Sequence, residues 1–362
     1  MSRLVALGTH PLRVPLTRPF VTARRSTDHV TGVLVEAVDD EGRSGWGEAV
    51  TTWRVTGESE ASVAAVVAGP LADAVVGADP ADAQSWAPRL ADAVVGNASA
   101  RAAVESALVD LAARAAGRPL AEHLSEHLGE HLPGGTAPTV RTDMTLSAVS
   151  EPAELDGLLR RAVELAATFG TLKVKVTNAP VTRDVLPEVR RAIGPAPRLR
   201  VDANQAWDVT TAIEILGHWQ GAGVGLELVE QPVAAWDLAG LATVHRTGIV
   251  PVLADESVHT VADVEAIVGA AGGVNVKLAK AGGPLQALTL ARRARDLGLG
   301  VLVGCMMEGP VGVAAAANVA AVLDATGEPA VHDLDAGLWL APDPRLQYAG
   351  DRLVLPLAQV VA

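Results

Sequence analysis

The sequence predicts an α/β fold, a parallel (β/α) barrel preceded by a small α+β domain, and three observations carry that expectation. Beyond residue 138, short apolar, β-branched runs alternate with amphipathic helical patterns at regular spacing, as crossover units of a parallel sheet do. Before it, strand-like runs come first and an Ala-rich helical block comes second, the texture of a separate α+β unit. Between the two lies Pro133-Gly-Gly-Thr-Ala-Pro138, a linker by composition. Residues 1–132 are therefore expected to form the first domain and 133–340 the barrel. Residues 341–362 are expected to form a segment that packs back on the first domain, non-helical because of Pro342 and Pro344.

In chain order, Leu4–Leu7, Leu12–Val14 and Val30–Val38 read as strands. Asp39-Asp-Glu-Gly42 is a turn, and Ser44–Ala49 returns as a hairpin partner. Pro19–Ser26 reads as a polar loop carrying Arg24 and Arg25. Residues 61–124 turn helical; one helix runs from Ser99, as N-cap, to Ala116, with Val104, Leu108 and Leu111 at helical spacing. The barrel strands read as Arg141–Ser147, Leu172–Thr177, Arg198–Asn204, Leu226–Gln231, Pro251–Glu256, Val274–Ala279, Val301–Met306 and Ala330–Asp335. After Ser150, for example, Leu155, Leu158, Leu159, Val163 and Leu165 form an apolar stripe that Gly170 closes.

Composition narrows the function. A formal charge of −13 with no basic cluster argues against nucleic acid or an anionic membrane as partner, and suits a cation or an ammonium-bearing substrate. No apolar run approaches a membrane span, and Met1–His10 lacks the pattern of a secretory leader. Cys305 is the single cysteine, so no intrachain disulfide can form, and the expected compartment is the cytoplasm. The Ala/Val-rich helices leave room for a homo-oligomer.

The chemistry starts at Thr171-Leu-Lys-Val-Lys-Val176. In a strand, Lys173 and Lys175 share one face and Leu172, Val174 and Val176 the other. In a barrel stave the aliphatic face meets the helices, so the lysines look inward, where an ammonium is costly. Lys173 beside Lys175 disfavours the latter's charge and prepares it as a general base. The next three strands each end in an inward carboxylate, Asp202, Glu230 and Asp255, with Glu256 outward by parity. Three converging carboxylates repel unless a cation sits among them, which points to Mg²⁺ first and Mn²⁺ second. The sixth strand turns Lys277 inward and puts Lys280 on the opposite parity, so Lys175 and Lys277 face each other across the metal. One lysine can take a proton from the carbon beside a metal-bound carboxylate while the other returns one to the opposite face, giving the epimer.

With those residues in place the chain resembles the enolase superfamily, and within it the muconate-lactonizing-enzyme subgroup. Lys173-x-Lys175, Asp202-Ala-Asn204, Glu230-Gln-Pro232, Asp255-Glu-Ser257 and Lys277-Leu-Ala-Lys280-Ala-Gly-Gly283 are similar to its signature, in the same order. The resemblance implies an N-terminal α+β capping domain and a TIM-like (β/α)7β barrel. It also implies Mg²⁺ on Asp202, Glu230 and Asp255, and acid/base lysines at Lys175 and Lys277 assisted by Lys173. Activities in that subgroup include muconate cycloisomerase, o-succinylbenzoate synthase, N-succinylamino acid racemase and dipeptide epimerase. His332-Asp-Leu-Asp335 is similar to the Asp-x-Asp of the dipeptide epimerases, where the pair, here Asp333 and Asp335, receives the dipeptide's α-ammonium. Val55–Glu58 and Val303–Glu308 are also similar to that group, the latter placing Met306 at the substrate. In the family the first-domain loop closes over the site, so Arg25 or Arg24 is expected to meet the second side chain, as in an Ala-Glu epimerase. A sister activity on an acid without an ammonium, or a non-catalytic metal-binding barrel, remains the alternative.

Overall fold

A computed structural model describes residues 2–130, 132 and 139–355. The expected linker Pro133–Pro138 and the end of the tail lie outside the described residues. The chain opens with an antiparallel sheet in the order β1 (Leu4–Val21), β2 (Ser26–Asp39) and β3 (Ser44–Val50). The two short strands expected first are one strand of 18 residues, and the expected loop 19–26 shrinks to the turn between Val21 and Ser26. Pro11, Pro15 and Pro19 hid this continuity. β1 lies at a sheet edge, where a residue without an N–H is tolerated because no further strand needs that donor.

The helix Ala98–Ala115 packs across β3. Gly45 and Gly47 permit the approach: a Cβ on Gly47 would stand 2.0 Å from the Ala103 carbonyl oxygen. This helix is not capped by Ser99. Asn97, in the left-handed region, occupies the N-cap position, and the buried Glu58 carboxylate accepts from Ser99 N and Ala100 N at 2.9 and 2.8 Å. The Ser99 hydroxyl donates instead to the Val50 carbonyl at 2.8 Å.

The second domain is a curled parallel sheet of seven strands. It contains β5 (Met144–Leu146), β6 (Thr171–Lys175), β7 (Arg198–Asp202), β8 (Leu226–Glu230), β9 (Val252–Ala254), β10 (Gly273–Lys277) and β11 (Gly300–Gly304), each beside the next. The expected run Arg141–Ser147 divides at Asp143 into β4 (Thr139–Thr142) and β5. β4 pairs in parallel with the two-residue β12 (Val331–His332), and a bridge between Gly304 and Asp333 joins that strand to β11, closing the ring. Asp333 and Asp335 thus lie just past a strand shorter than expected. The described tail forms the hairpin β13 (Gln347–Ala349) and β14 (Arg352–Val354), and β14 pairs with β4 rather than with the cap sheet. All five residues of β6 are buried; Leu172 and Val174 belong to the apolar core, while Lys173 and Lys175 turn to the carboxylates Glu230 and Asp202. Among the described residues no helix is long and apolar enough to cross a membrane.

Two buried glutamates of the first domain plug helix starts in the second. Glu48 accepts from Gly309 N at 2.6 Å and Gly312 N at 3.0 Å at the start of the helix Pro310–Ala325. Glu105 accepts from Leu285 N at 2.7 Å and Gln286 N at 3.3 Å at the start of the helix Pro284–Asp296. The exposed N–H groups and positive dipole end of a helix favour such a carboxylate. Burial nevertheless dominates at Glu105 and pushes its pKa up to about 7, against the two backbone donors and Arg101.

A raised carboxyl pKa means that the folded state holds a proton the unfolded state has released, so stability falls as pH rises between about 4.5 and about 7. The Glu105→Gln variant lacks this titration. Urea unfolding of both proteins at pH 5 and pH 8 should show the wild type losing on the order of 3 kcal/mol relative to the variant. Parallel pH profiles would contradict an ionisable Glu105 at this junction.

Candidate active site

Functional side chains gather where the barrel's strand ends meet the first domain, around a cavity of about 360 Å³. Asp202 and Glu230 are the last residues of β7 and β8 and stand beside each other in register, and Asp255 comes directly after β9. Their carboxylate oxygens lie within 4.8 Å of one another, and all three residues are buried. Asn275, two residues before Lys277 on β10, donates Nδ2 to Glu230 Oε1 at 2.9 Å, and Asn204 N donates to Asp202 Oδ1 at 2.8 Å.

Lysines surround the acids. Lys173 Nζ, 1% exposed, lies 2.6 Å from Glu230, 2.8 Å from Asp333 and 3.1 Å from Asp202. Lys175 Nζ is 2.5 Å from Asp202, and Lys277 Nζ is 2.7 Å from Asp255. Burial alone would lower the pKa of Lys173, yet Asp333, Glu230 and Asp202 outweigh it and hold the group well above the ordinary lysine value. Lys277 is raised in the same way, its burial overcome by Asp255 and Glu230. Three carboxylates thus pair with the Lys173 ammonium where it stands. Among the acids, burial and then Asp202 push Glu230 up to about 7, whereas Lys277 and Lys280 overcome burial and hold Asp255 well below the usual range.

Strict strand parity misplaced two residues. Lys280 belongs to the site: β10 ends at Lys277, and the single helical turn Leu278–Ala281 carries Lys280 back to 2.6 Å from Asp255 Oδ1. Its spacing of three from Lys277, just before Gly282-Gly283, was the signal for that turn. Glu256 also lines the cavity, because β9 ends at Ala254 and strand alternation stops there.

Asp333 and Asp335 both line the cavity. Asp333 Oδ2 accepts from Lys173, while Asp335 Oδ2 accepts from Thr145 N at 2.7 Å and Trp339 Nε1 at 3.1 Å. Arg24 is exposed and donates to the carbonyls of Asn204 and Gln205, both at 3.1 Å, tying the first-domain turn to the barrel. Arg25 lines the cavity with no hydrogen bond or ion pair from its guanidinium among the described residues, and burial lowers its pKa. Met306 lines the cavity too, its N–H held by Glu308 at 2.9 Å. Phe20, Trp53 and Arg54 are further parts of the first-domain wall and were not singled out from sequence. Nothing in strand periodicity reports that they face the barrel.

The family models agree with this architecture. Residues 157–356 match the enolase C-terminal domain-like model, and residues 7–125 match the N-terminal domain of mandelate racemase / muconate lactonizing enzyme. The chain belongs to that family, the mandelate racemase/muconate lactonizing enzymes of the enolase superfamily. It is 39% identical to the L-Ala-D/L-Glu epimerase of Clostridium acetobutylicum over 86% of this chain and 84% of the relative. The fold superposes on a substrate-liganded complex of the L-Ala-D/L-Glu epimerase from Bacillus subtilis with a TM-score of 0.89 and 34% identity, covering 98% of this chain and 96% of the other. A dipeptide epimerase from Enterococcus faecalis, complexed with Mg and L-Leu-L-Tyr, superposes with a TM-score of 0.88 and 28% identity over 99% and 98% of the two chains.

Replacing Lys173 by Met would leave Asp202, Glu230 and Asp333 short of a buried counter-charge. Breaking a buried pair from one side costs about 3–5 kcal/mol. Urea unfolding of Lys173→Met at pH 8 in EDTA should show a loss of that size, and a loss below about 1 kcal/mol would contradict the charge-compensating role.

Proposed function

We propose that the protein is a dipeptide epimerase that inverts the α-carbon of the dipeptide's C-terminal residue. The carrying observation is that Lys175, Lys277, Asp255, Asp333 and Asp335 border one cavity, in a chain whose relatives are named as L-Ala-D/L-Glu epimerases.

The donor set fits a divalent cation. Asp202, Glu230 and Asp255 offer only carboxylate oxygens, and Asn204 Oδ1 and Glu256 Oε2 nearby are buried acceptors without a hydrogen-bond donor. A hard ion with oxygen preference suits such a site, Mg²⁺ before Mn²⁺. Once bound, it would supply positive charge to the substrate carboxylate as the adjacent carbon becomes acidic. The chain does the rest. Lys175 and Lys277 exchange the α-proton, one removing it and the other delivering one to the opposite face. Lys173 and Lys280 keep the carboxylates oriented. Asp335 and Asp333 take the α-ammonium, for which a pair of carboxylates is a charge-assisted acceptor. That pair disfavours the muconate and succinylbenzoate readings, whose anionic substrates it would repel. Arg25, a cation in the cavity wall without a protein partner among the described residues, supports an acidic second side chain, Glu or Asp, which it can engage bidentately.

Incubation of L-Ala-L-Glu in D₂O with Mg²⁺ should place deuterium on the α-carbon of Glu alone, and EDTA should stop it. Lys175→Ala and Lys277→Ala should each abolish epimerisation while sparing exchange from one of the two configurations, each variant from a different one. Exchange unaffected by either change would refute their roles. Arg25→Met should lower the preference for Glu over Leu in the second position by about 10- to 100-fold in kcat/KM, the worth of one or two hydrogen bonds to a charged group. An unchanged preference would remove Arg25 from substrate recognition.

A further inference from the structure

Trp339 stands between Asp335 and the first domain. It ends the turn Ala336–Trp339 that comes after Asp335 and is 1% exposed. Its Nε1–H donates to Asp335 Oδ2 at 3.1 Å, the oxygen that also accepts from Thr145 N at 2.7 Å. Both donors sit on Oδ2, which leaves Oδ1 to a ligand in the cavity that Asp335 lines.

The indole is held from the other side by the first domain. The Arg18 guanidinium lies 4.2 Å from the ring centroid, and Phe20 meets the ring edge-on at 4.8 Å and 88°. Thr17 Oγ1 donates to the Trp339 carbonyl at 3.0 Å, and Leu16 bridges to Leu340. Phe20 is itself a wall of the cavity, its ring centroid 5.9 Å from Lys175 Nζ. One side chain therefore touches β1 on one flank and the carboxylate at the cavity on the other.

We infer that Trp339 is a positioning residue: braced by Arg18 and Phe20 of the first domain, it holds the Asp335 carboxylate in the orientation that accepts the substrate's α-ammonium group. This rests on the dipeptide reading above. A buried indole N–H needs some acceptor, so simple packing also accounts for the contact. The two roles differ in outcome. A packing role makes Trp339 matter for stability alone. A positioning role makes it matter for ammonium binding, and only while Asp335 is there to be positioned.

The test is a double-mutant cycle on KM and kcat for L-Ala-L-Glu with Mg²⁺, using wild type, Trp339→Phe, Asp335→Asn and the double variant, with thermal midpoints recorded alongside. Trp339→Phe keeps an aromatic ring and removes the donor. It should raise KM about tenfold, the worth of a hydrogen bond to a charged acceptor, and leave kcat within about twofold. The double variant should be no worse in KM than Asp335→Asn alone. An unchanged KM in Trp339→Phe, or effects that multiply in the double variant, would overturn the inference while leaving the epimerase reading intact. Absence of turnover of any dipeptide by the wild type would overturn both. If Trp339→Phe does not fold, Trp339→β-(3-benzothienyl)alanine, nearly isosteric and without the N–H, must show the same rise in KM.

Discussion

Ammonium and carboxylate groups inside a barrel cannot be left to water, so each must find its opposite within hydrogen-bond reach, and much of this structure answers that demand. Lys173 bridges Glu230, Asp202 and Asp333 from three different strand ends, and Lys277 with Lys280 hold Asp255. Further from the strand ends, Arg200, two residues before Asp202 on β7, binds Asp143 at 3.0 Å, Glu227 at 2.6 Å and the Val331 carbonyl at 2.8 Å. The contacts to Asp143 and Val331 reach both sides of the seam where β12 meets β4 and lock register as well as charge. A slip of one residue in β6 would send both lysines among the helices and their aliphatic neighbours inward. Such an ionic interior adds little net stability over an apolar one, but it makes misregistered alternatives costly.

The same demand explains how the two domains meet. The first domain inserts Glu48 and Glu105 into the starts of two barrel helices, lays Arg24 on the carbonyls after β7, and clasps Trp339 with Arg18 and Phe20. Each contact joins a charged or aromatic side chain to backbone or ring atoms that would otherwise lack a partner. The cavity lies at that junction, lined by Lys175, Asp255, Lys277, Asp333 and Asp335 of the barrel, with Phe20, Arg25 and Trp53 of the first domain in its outer wall. A division of labour between chemistry on strand ends and recognition on loops lets one barrel serve several reactions.

Alternation of side chains along a strand is a local property, and what depended on it was legible in the sequence. It placed Lys173, Lys175, Asp202, Glu230 and Lys277 on inward faces, and the order of apolar runs and helical stripes was enough to name the barrel and the domain before it. Past a strand's last residue the rule still held for Asp255, directly after β9, but failed further on. Lys280 returned through one helical turn, Glu256 through a loop, and Ser99 lost its capping role to Asn97 and Glu58. The continuity of β1 through its prolines depended on its being an edge strand, and edge position is decided by which strands pair.

The sequence by itself therefore determined which residue types face the barrel interior, and with them the class of chemistry, because period and residue type need no knowledge of neighbours. Only the tertiary structure decided the partners. Lys173 settles on three carboxylates from distant strand ends, the farthest 160 positions along the chain, Asp335 answers to Thr145 and Trp339, and the tail joins β4. Hydrogen bonds and ion pairs are short-ranged, and which groups come within their reach is fixed by the closing of the ring and the docking of the first domain upon it.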